Sequence, residues 1–251
     1  MPLEYLPVIF FFIALFYSSV GFGGGSSYLA ILSLFLTDFY EIRSTALILN
    51  ICVVTIGTII FIKNNVLKPK LIWPFFIFSF PMAYLGAMVK LSETVFFLIL
   101  GSALILAGIF MILKFVNSKL ESQEFSYLKK FALGGSIGLL SGISGIGGGI
   151  FLSPFLNLLK WKDPRTIASL ASVFILVNSI AGVVGLKVAG TFRLDYHLVV
   201  QLIIGVAFGG SIGSYLSNKK FDLKLLRILT AILVFYVGVR LVLFNGFGVR
   251  I

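Results

Sequence analysis

The sequence contains two glycine runs, Gly21-Phe22-Gly23-Gly24-Gly25 and Gly145-Ile146-Gly147-Gly148-Gly149, which lie 124 positions apart in a chain of 251 residues. Each run interrupts a strongly apolar stretch. A glycine in a helix interior is about 1 kcal/mol less favourable than alanine, so three in succession predict that the helix breaks. The spacing divides the chain into two halves, each with its first apolar helix broken at the same place. Paired breaks of this kind are typical of membrane transporters and point to a substrate site.

The composition is that of a chain surrounded by lipid. Hydrophobic residues make up 59% of it and charged residues 12%, whereas soluble domains carry about 25% charged residues. The net charge of +11 does not indicate a nucleic-acid-binding protein, because the basic residues lie in short connectors rather than in one patch. The single Cys52, the single His197 and nine acidic residues leave little material for a metal or catalytic centre. We therefore expect a membrane protein that is not an enzyme and has no cofactor.

Six apolar runs are long enough to cross a bilayer as helices, which takes about 20 residues each. Two further apolar regions, 6–36 and 131–159, are cut by the glycine runs, so each is expected to form two short helices joined by non-helical backbone. The six uninterrupted runs are 44–62, 71–89, 94–113, 168–186, 198–216 and 225–244.

The two halves align along their whole length. In each half the glycine run is followed by a short apolar helix, a polar corner (38–43 or 162–165), a span rich in small polar residues, and two more spans. We expect the first membrane repeat to cover residues 1–117, the second to cover 129–251, and residues 118–128 to form a cytoplasmic linker.

The charges of the connectors separate two topologies, because cytoplasmic loops collect Lys and Arg. If each broken region is a re-entrant hairpin, the 20 Lys and Arg residues divide 14 to 6 between the two sides; if each crosses once, they divide 11 to 9. The hairpin topology is favoured. It leaves three crossings per half, which inverts the second half and places both termini outside. Two complete but short crossings per broken region would give the same sidedness.

The predicted fold class is therefore an all-α integral membrane protein with two inverted repeats, each a glycine-broken helical hairpin plus three transmembrane helices. A multi-pass position in the cell (cytoplasmic) membrane follows, with the lipid bilayer as its surroundings. The oligomeric state is left open, and a homo-oligomer is compatible with the sequence.

The residues around the breaks resemble a known family. Two repeats, each with a Gly-x-Gly-Gly-Gly break after a first apolar helix, resemble the TauE/SafE sulfite-exporter family of membrane anion permeases. The second run, followed by Pro154 and by Ala-Ser-Leu at 168–170, is the closer match; Ala30 stands where the second half has Pro154. The resemblance implies a secondary transporter of small anions, namely sulfur oxyanions, organosulfonates or related organic acids.

An anion in hydrocarbon must have its charge met by the protein. No Lys or Arg lies deep in the six apolar runs, so we expect helix N-termini, with their unpaired N–H groups and about half a positive charge, to do this. Inverted hairpins should bring the two breaks together near the midplane, where glycine lets the backbone approach a ligand closely. The candidate substrate-binding residues belong to the breaks and to the polar spans that follow them: Gly23, Gly24, Gly25, Ser26, Ser27, Asn50, Gly147, Gly148, Gly149, Ile150, Phe151, Ser172 and Asn178.

Each feature also has a simpler interpretation. Glycines in membrane helices permit close helix packing, and Asn50 and Asn178 suit hydrogen bonds between helices. Serines after a break suit helix N-caps, and the corner residues Arg43 and Arg165 suit interfacial anchors. A passive anion channel could use the same helix ends and is the alternative function. A purely structural or assembly role gives no reason for a duplicated break.

Overall fold

A computed structural model describes residues 3–19, 21–116, 125–159, 161–218 and 224–248. Within these ranges the chain forms one 3-10 turn, Leu3–Tyr5, followed by ten α-helices and no strand. The helices are α1 (Leu6–Ser19), α2 (Gly25–Leu32), α3 (Phe39–Lys63), α4 (Pro69–Met88), α5 (Glu93–Val116), α6 (Tyr127–Ser144), α7 (Gly149–Leu158), α8 (Pro164–Val188), α9 (Tyr196–Asn218) and α10 (Lys224–Phe247).

The six uninterrupted apolar runs lie in α3, α4, α5, α8, α9 and α10. Among the described residues, four helices are long and apolar enough to cross a membrane: α3, α4, α8 and the part of α9 over Tyr196–Leu216. The described apolar stretches of α5 and α10 are shorter, Glu93–Ile109 and Phe235–Phe244. The all-α membrane class is confirmed. Most of the predicted linker 118–128 lies outside the described residues, namely residues 118–124.

Both broken regions form two short helices, as predicted. The first is α1 and α2, and the second is α6 and α7. Gly24 and Gly148 immediately precede the second helix of each pair and have φ values of 94° and 81°. This left-handed conformation is open to glycine and strained for other residues. The breaks therefore depend on glycine because of backbone conformation as well as helix propensity.

The long helices that follow the breaks begin in the same way in both halves. Asp38 caps α3 by accepting a hydrogen bond from the Tyr40 N–H, and Asp163 caps α8 by accepting from the backbone N–H groups of Arg165 and Thr166. Partial burial opposes ionisation of Asp38, but hydrogen bonds from Arg193 and Tyr40 outweigh it and lower its pKa. A carboxylate is also the favourable charge at a helix N-terminus.

Each of the main contacts between a helix of the first half and one of the second has a counterpart in which the equivalent helices take each other's places. Helix α1 packs on α9 as α6 packs on α4, and α3 contacts α9 as α8 contacts α4. Two pairs join equivalent helices of the two halves, α3 with α8 and α5 with α10. The two halves are therefore interlocked, because the broken hairpin of each packs on a long helix of the other.

Stripes of glycine bring the hairpin helices into backbone contact with their partners. Three glycines at intervals of four on α6 face α4, and three on α9 face α1, an arrangement that lets helix backbones approach closely in lipid. The partner positions advance in the same direction on both helices, so each pair is parallel. The facing residues are Gly134 with Phe75, Gly138 with Ser79, Gly142 with Ala83, Gly205 with Pro7, Gly209 with Phe11, and Gly213 with Leu15.

The first broken region reverses direction. Val53 lies against Gly210, and Gly57 lies against Ser214, so α3 is parallel to α9. Since α1 is also parallel to α9, α1 and α3 run the same way, and α2 must carry the chain back before α3 begins. The same holds in the second half, where α6 and α8 are both parallel to α4. The re-entrant topology and two short crossings per broken region both predict this order of helix directions, whereas a single crossing does not.

Equivalent helices of the two halves run in opposite directions. In the α3–α8 pair, Leu47 lies against Gly182 and Gly57 lies against Ser172. In the α5–α10 pair, Gly101 lies against Leu241 and Gly108 lies against Phe235. The partner number falls as the residue number rises in both pairs, so both are antiparallel.

The glycine stripe on α6 provides a stability test. A Cβ at Gly138 would lie 2.7 Å from Ser79 Cα, whereas one at the neighbouring Gly135 would lie 3.3 Å from Phe78 Cβ. Gly138→Ala should lower stability by about 1–3 kcal/mol because α6 must move away from α4. The control Gly135→Ala should leave stability unchanged or raise it, since alanine is the better helix former. Thermal unfolding in detergent measures both, and equal melting temperatures would contradict the proposed contact.

Candidate functional site

Asn50 lies between the two glycine breaks. It is fully buried at the middle of α3, and its Nδ2 donates to the Ile146 carbonyl at 2.9 Å. On the other side, a Cβ at Gly23 would lie 3.1 Å from Asn50 Cγ, and one at Gly25 would lie 2.9 Å from the same atom. The structure thus brings both breaks onto one amide near the middle of the long apolar helix α3.

The helices that begin at the breaks have no side-chain caps. Gly24 precedes α2 and Gly148 precedes α7. At neither position does a side chain accept a capping hydrogen bond from the first N–H groups of the helix. Of the helices that begin in loops, α3, α6 and α8 are capped by Asp38, Ser126 and Asp163, whereas α4, which begins with Pro69, has no side-chain cap. A helix end that is buried without a partner for its N–H groups needs an explanation. Both uncapped ends lie where a ligand was predicted.

Seven buried side-chain polar atoms of the described residues have no hydrogen-bond partner, and all of them except those of Thr45 and Asn178 belong to residues beside a glycine break. Buried polar groups are normally paired, so an unpaired cluster is consistent with a polar ligand. Asn50 Oδ1 faces the first break. Ser179 Oγ would lie 2.9 Å from a Cβ at Gly147. The unpaired atoms are Tyr28 OH, Arg43 Nε, Thr45 Oγ1, Asn50 Oδ1, Ser141 Oγ, Asn178 Nδ2 and Ser179 Oγ.

The serines of the first break lie two and three residues beyond the cap position, which Gly24 occupies. The helix starts at Gly25, so Ser26 and Ser27 belong to the first turn of α2. Their hydroxyls meet the phenol of Tyr17 from α1, with Oγ to OH distances of 3.3 Å and 2.8 Å. All three side chains are buried. The N-cap interpretation of these serines is wrong, and Tyr17 is a hydroxyl of this site that the motif did not indicate.

The start of α7 is built into the core. Ile150 is buried among residues of the first hairpin, and Phe151 packs against both hydrophobic clusters of the protein. Around the break, a Cβ at Gly148 would lie 2.9 Å from the Phe174 ring, and Gly149 approaches Ile175. The backbone groups of Ile150 and Phe151 are therefore what these residues can present to a ligand. Their side chains pack in the hydrophobic core.

The two polar residues predicted on α8 lie on helix–helix contacts. Ser172 Oγ is 3.3 Å from the Val54 carbonyl on α3 and 3.3 Å from Thr58 Oγ1. Asn178 Oδ1 accepts a hydrogen bond from Ser79 on α4. Neither contact involves the glycine breaks, so the structure does not bring these two side chains together with Asn50.

Arg43 is placed differently from a corner arginine. Only 2% of it is exposed, and its guanidinium donates to the carbonyl of Gly142 in the last turn of α6. The interpretation of Arg43 as an interfacial anchor is wrong, and this arginine, which lies just before the apolar run 44–62, is a buried cation near the second break. The sequence did not indicate this burial, because Arg43 precedes the apolar run that starts at residue 44 and is covered by α6 of the other half.

The comparisons with known proteins agree with this architecture. The family model for the sulfite exporter TauE/SafE matches residues 6–241, nearly the whole chain. The chain belongs to the TauE/SafE sulfite exporter family. The resemblance that the glycine breaks indicated is thus confirmed, and the chain is a multi-pass protein of a membrane transporter family.

Two curated relatives of this family member have similar length. A probable membrane transporter protein of Sinorhizobium fredii is 32% identical over 244 residues, which cover 94% of this chain and 96% of the relative. A probable membrane transporter protein of Methanocaldococcus jannaschii is 27% identical over 259 residues, with 96% of each chain covered. No solved structure matches.

Asn50 provides the stability test of this site. In Asn50→Ala, the Ile146 carbonyl loses its buried donor, so stability should fall by about 1–3 kcal/mol. Asn64, the C-cap residue that follows α3, is a matched control, since its Nδ2 donates to the Ile60 carbonyl at 2.7 Å in an exposed position. Asn64→Ala should cost under about 0.5 kcal/mol. Melting temperatures in detergent compare the two, and a similar small loss in both would remove Asn50 from the centre of the fold.

Proposed function

We propose that this protein is a secondary transporter that moves small anions, sulfur oxyanions or organosulfonates, across the cytoplasmic membrane by alternating access. The observation that carries the proposal is the meeting of two uncapped, buried helix N-termini at Asn50. The printed names of the curated relatives, both probable membrane transporters, support transport as the activity. The proposed partners are the small anion and the surrounding lipid.

The charge of the site favours an anion. Each helix N-terminus carries about half a positive charge, so two that face one ligand supply about one. Away from water this field is much stronger than at a surface. Unpaired N–H groups also donate directly to oxyanion oxygens, as they do in phosphate sites. The first break adds hydroxyl groups from Tyr17, Ser26 and Ser27, which suit the oxygens of a sulfonate or sulfite.

Alternating access follows from an inverted repeat. The antiparallel contacts of α3 with α8 and of α5 with α10 support this relation between the halves. Two inverted hairpins that share one site can exchange conformations, so that the site opens to one side and then to the other. Each hairpin packs on a long helix of the other half, which would couple their movements.

The anion site can be tested by ligand-induced stabilisation. Purified protein should be screened by thermal shift with sulfite, sulfate, thiosulfate, methanesulfonate and acetate, and at least one sulfur oxyanion should raise the melting temperature. Asn50→Asp places a carboxylate against both helix N-termini and should abolish this rise, because it competes with the ligand's charge. Asn64→Asp, at the exposed end of the same helix, is the matched control and should keep it.

Transport separates a carrier from a passive channel. In proteoliposomes, a carrier should show saturable counterflow, with uptake of labelled anion accelerated by unlabelled anion inside. Flux without such trans-stimulation would favour the channel. Absence of both flux and stabilisation across the whole panel would contradict the proposed function.

The inverted repeat can be tested at the equivalent ends of α3 and α8. Lys63 and Val188 are the last residues of these helices, and both are exposed. In a Cys52→Ala background, Lys63→Cys should react with a membrane-impermeant maleimide only from the cytoplasm, and Val188→Cys only from outside. A direct repeat would label both from the same side.

A further inference from the structure

Arg43 is a buried cation without a buried counter-charge. Among the described residues, Arg43 is the one buried Lys or Arg. It forms no ion pair with any of these residues. A charge buried in a membrane protein is costly and is usually paired. A buried arginine without a negatively charged partner is therefore a candidate ligand for an anion.

The surroundings of Arg43 leave part of its guanidinium unused. One nitrogen donates to the Gly142 carbonyl, and one face lies over the Phe96 ring, 5.8 Å from its centroid. The Nε atom is buried and has no partner. A guanidinium has five N–H donors, so a single carbonyl does not satisfy it. A simple role in capping the C-terminal end of α6 explains one of these donors and leaves Nε unexplained.

Arg43 also lies at the second glycine break. A Cβ at Gly145 would be 2.8 Å from Arg43 Cγ and 3.4 Å from its Nε. Gly145 has a φ of 70°, so glycine is required there both for the backbone and for room beside the arginine. Arg43 and Asn50 are seven residues apart on α3, which is two helical turns and places them on one face. Asn50 donates to the Ile146 carbonyl in this break, and Arg43 donates to the Gly142 carbonyl in the last turn of α6 just before it.

The α7 N-terminus follows closely after Gly145, the residue of the second break that Arg43 contacts. The N–H groups at a helix start point back along the helix axis, away from its body. Helix α7 begins at Gly149, directly after the break that Arg43 and Asn50 contact, and Gly148 leaves it uncapped. An oxyanion held by these N–H groups would lie at the same break that the Arg43 guanidinium contacts, and Nε is the donor left free there.

We propose that Arg43 supplies the formal positive charge for the transported anion, so that the anion is held at the second break between the α7 N-terminus and the Arg43 Nε–H. This assignment rests on the proposed function and adds a named charged ligand to it. It makes the site unequal in its two halves. The first break offers the neutral hydroxyls of Tyr17, Ser26 and Ser27, and the corner arginine of the second half, Arg165, is exposed.

Anion affinity tests this assignment. Arg43→Gln keeps a neutral donor for the Gly142 carbonyl but removes the charge, so the affinity for the most stabilising anion of the panel should fall by about tenfold or more. Arg43→Lys keeps the charge and should recover part of the affinity. Arg193→Gln is the control, since Arg193 is an exposed arginine whose side chain pairs with Asp38 at 2.8 Å. It should bind like the wild type.

The same experiment separates binding from structural support. If Arg43 only caps α6, Arg43→Gln should lower the melting temperature of the anion-free protein and leave the dissociation constant unchanged, which would overturn the assignment. If the wild type binds and Arg43→Gln binds equally, this inference fails while the proposed function stands. If the wild type binds no anion of the panel, both fail.

A measurement on the wild type covers the case in which Arg43 variants do not fold. In protein labelled with 15N-arginine, the buried Nε–H of Arg43 should give a resonance that exchanges slowly with solvent. Addition of the stabilising anion should shift this resonance, and it should persist in Arg193→Gln. If the chemical shift of the protected resonance does not change at saturating anion, the assignment is overturned.

Discussion

The hydrogen bond from Asn50 to the Ile146 carbonyl is the contact on which the centre of this protein depends. It joins a membrane-spanning helix of the first half to the broken hairpin of the second, while the other side of the same amide faces the first break. In lipid an exposed or unpaired backbone group costs several kcal/mol. Non-helical backbone can therefore persist at this depth because protein surrounds it and because the breaks share partners.

Close packing of backbones makes this interior possible. Lipid tails are as apolar as leucine, so membrane helices associate by van der Waals contact and hydrogen bonding rather than by the hydrophobic effect. The glycine stripes of α6 and α9 bring two helix pairs into backbone contact, and these pairs hold each hairpin against the opposite half. Glycine thus has two separate roles here. In the stripes it provides room, and in the breaks it provides a left-handed backbone conformation.

Much of the architecture could be predicted from local patterns. The apolar runs predicted the long helices, and the glycine runs predicted both broken regions to within two residues of where α2 and α7 begin. The central position of Asn50 was also indicated, since it is a polar residue in the middle of an apolar helix. A hydrogen bond between helices was one of the two interpretations of Asn178, but the choice between it and ligand binding, and the placement of Ser172, depend on which helix each residue faces. The packing turns both toward neighbouring helices.

The sequence alone determined the membrane class, the two halves and the location of the breaks, because helix length, apolar composition and glycine propensity act locally. Only the tertiary structure decided which polar groups meet at the breaks. Arg43 illustrates the difference: it precedes an apolar run and resembles an interfacial anchor, yet helix α6 of the other half buries it beside Gly145. Burial and pairing are set by contacts between residues about 100 positions apart, and no local pattern encodes them.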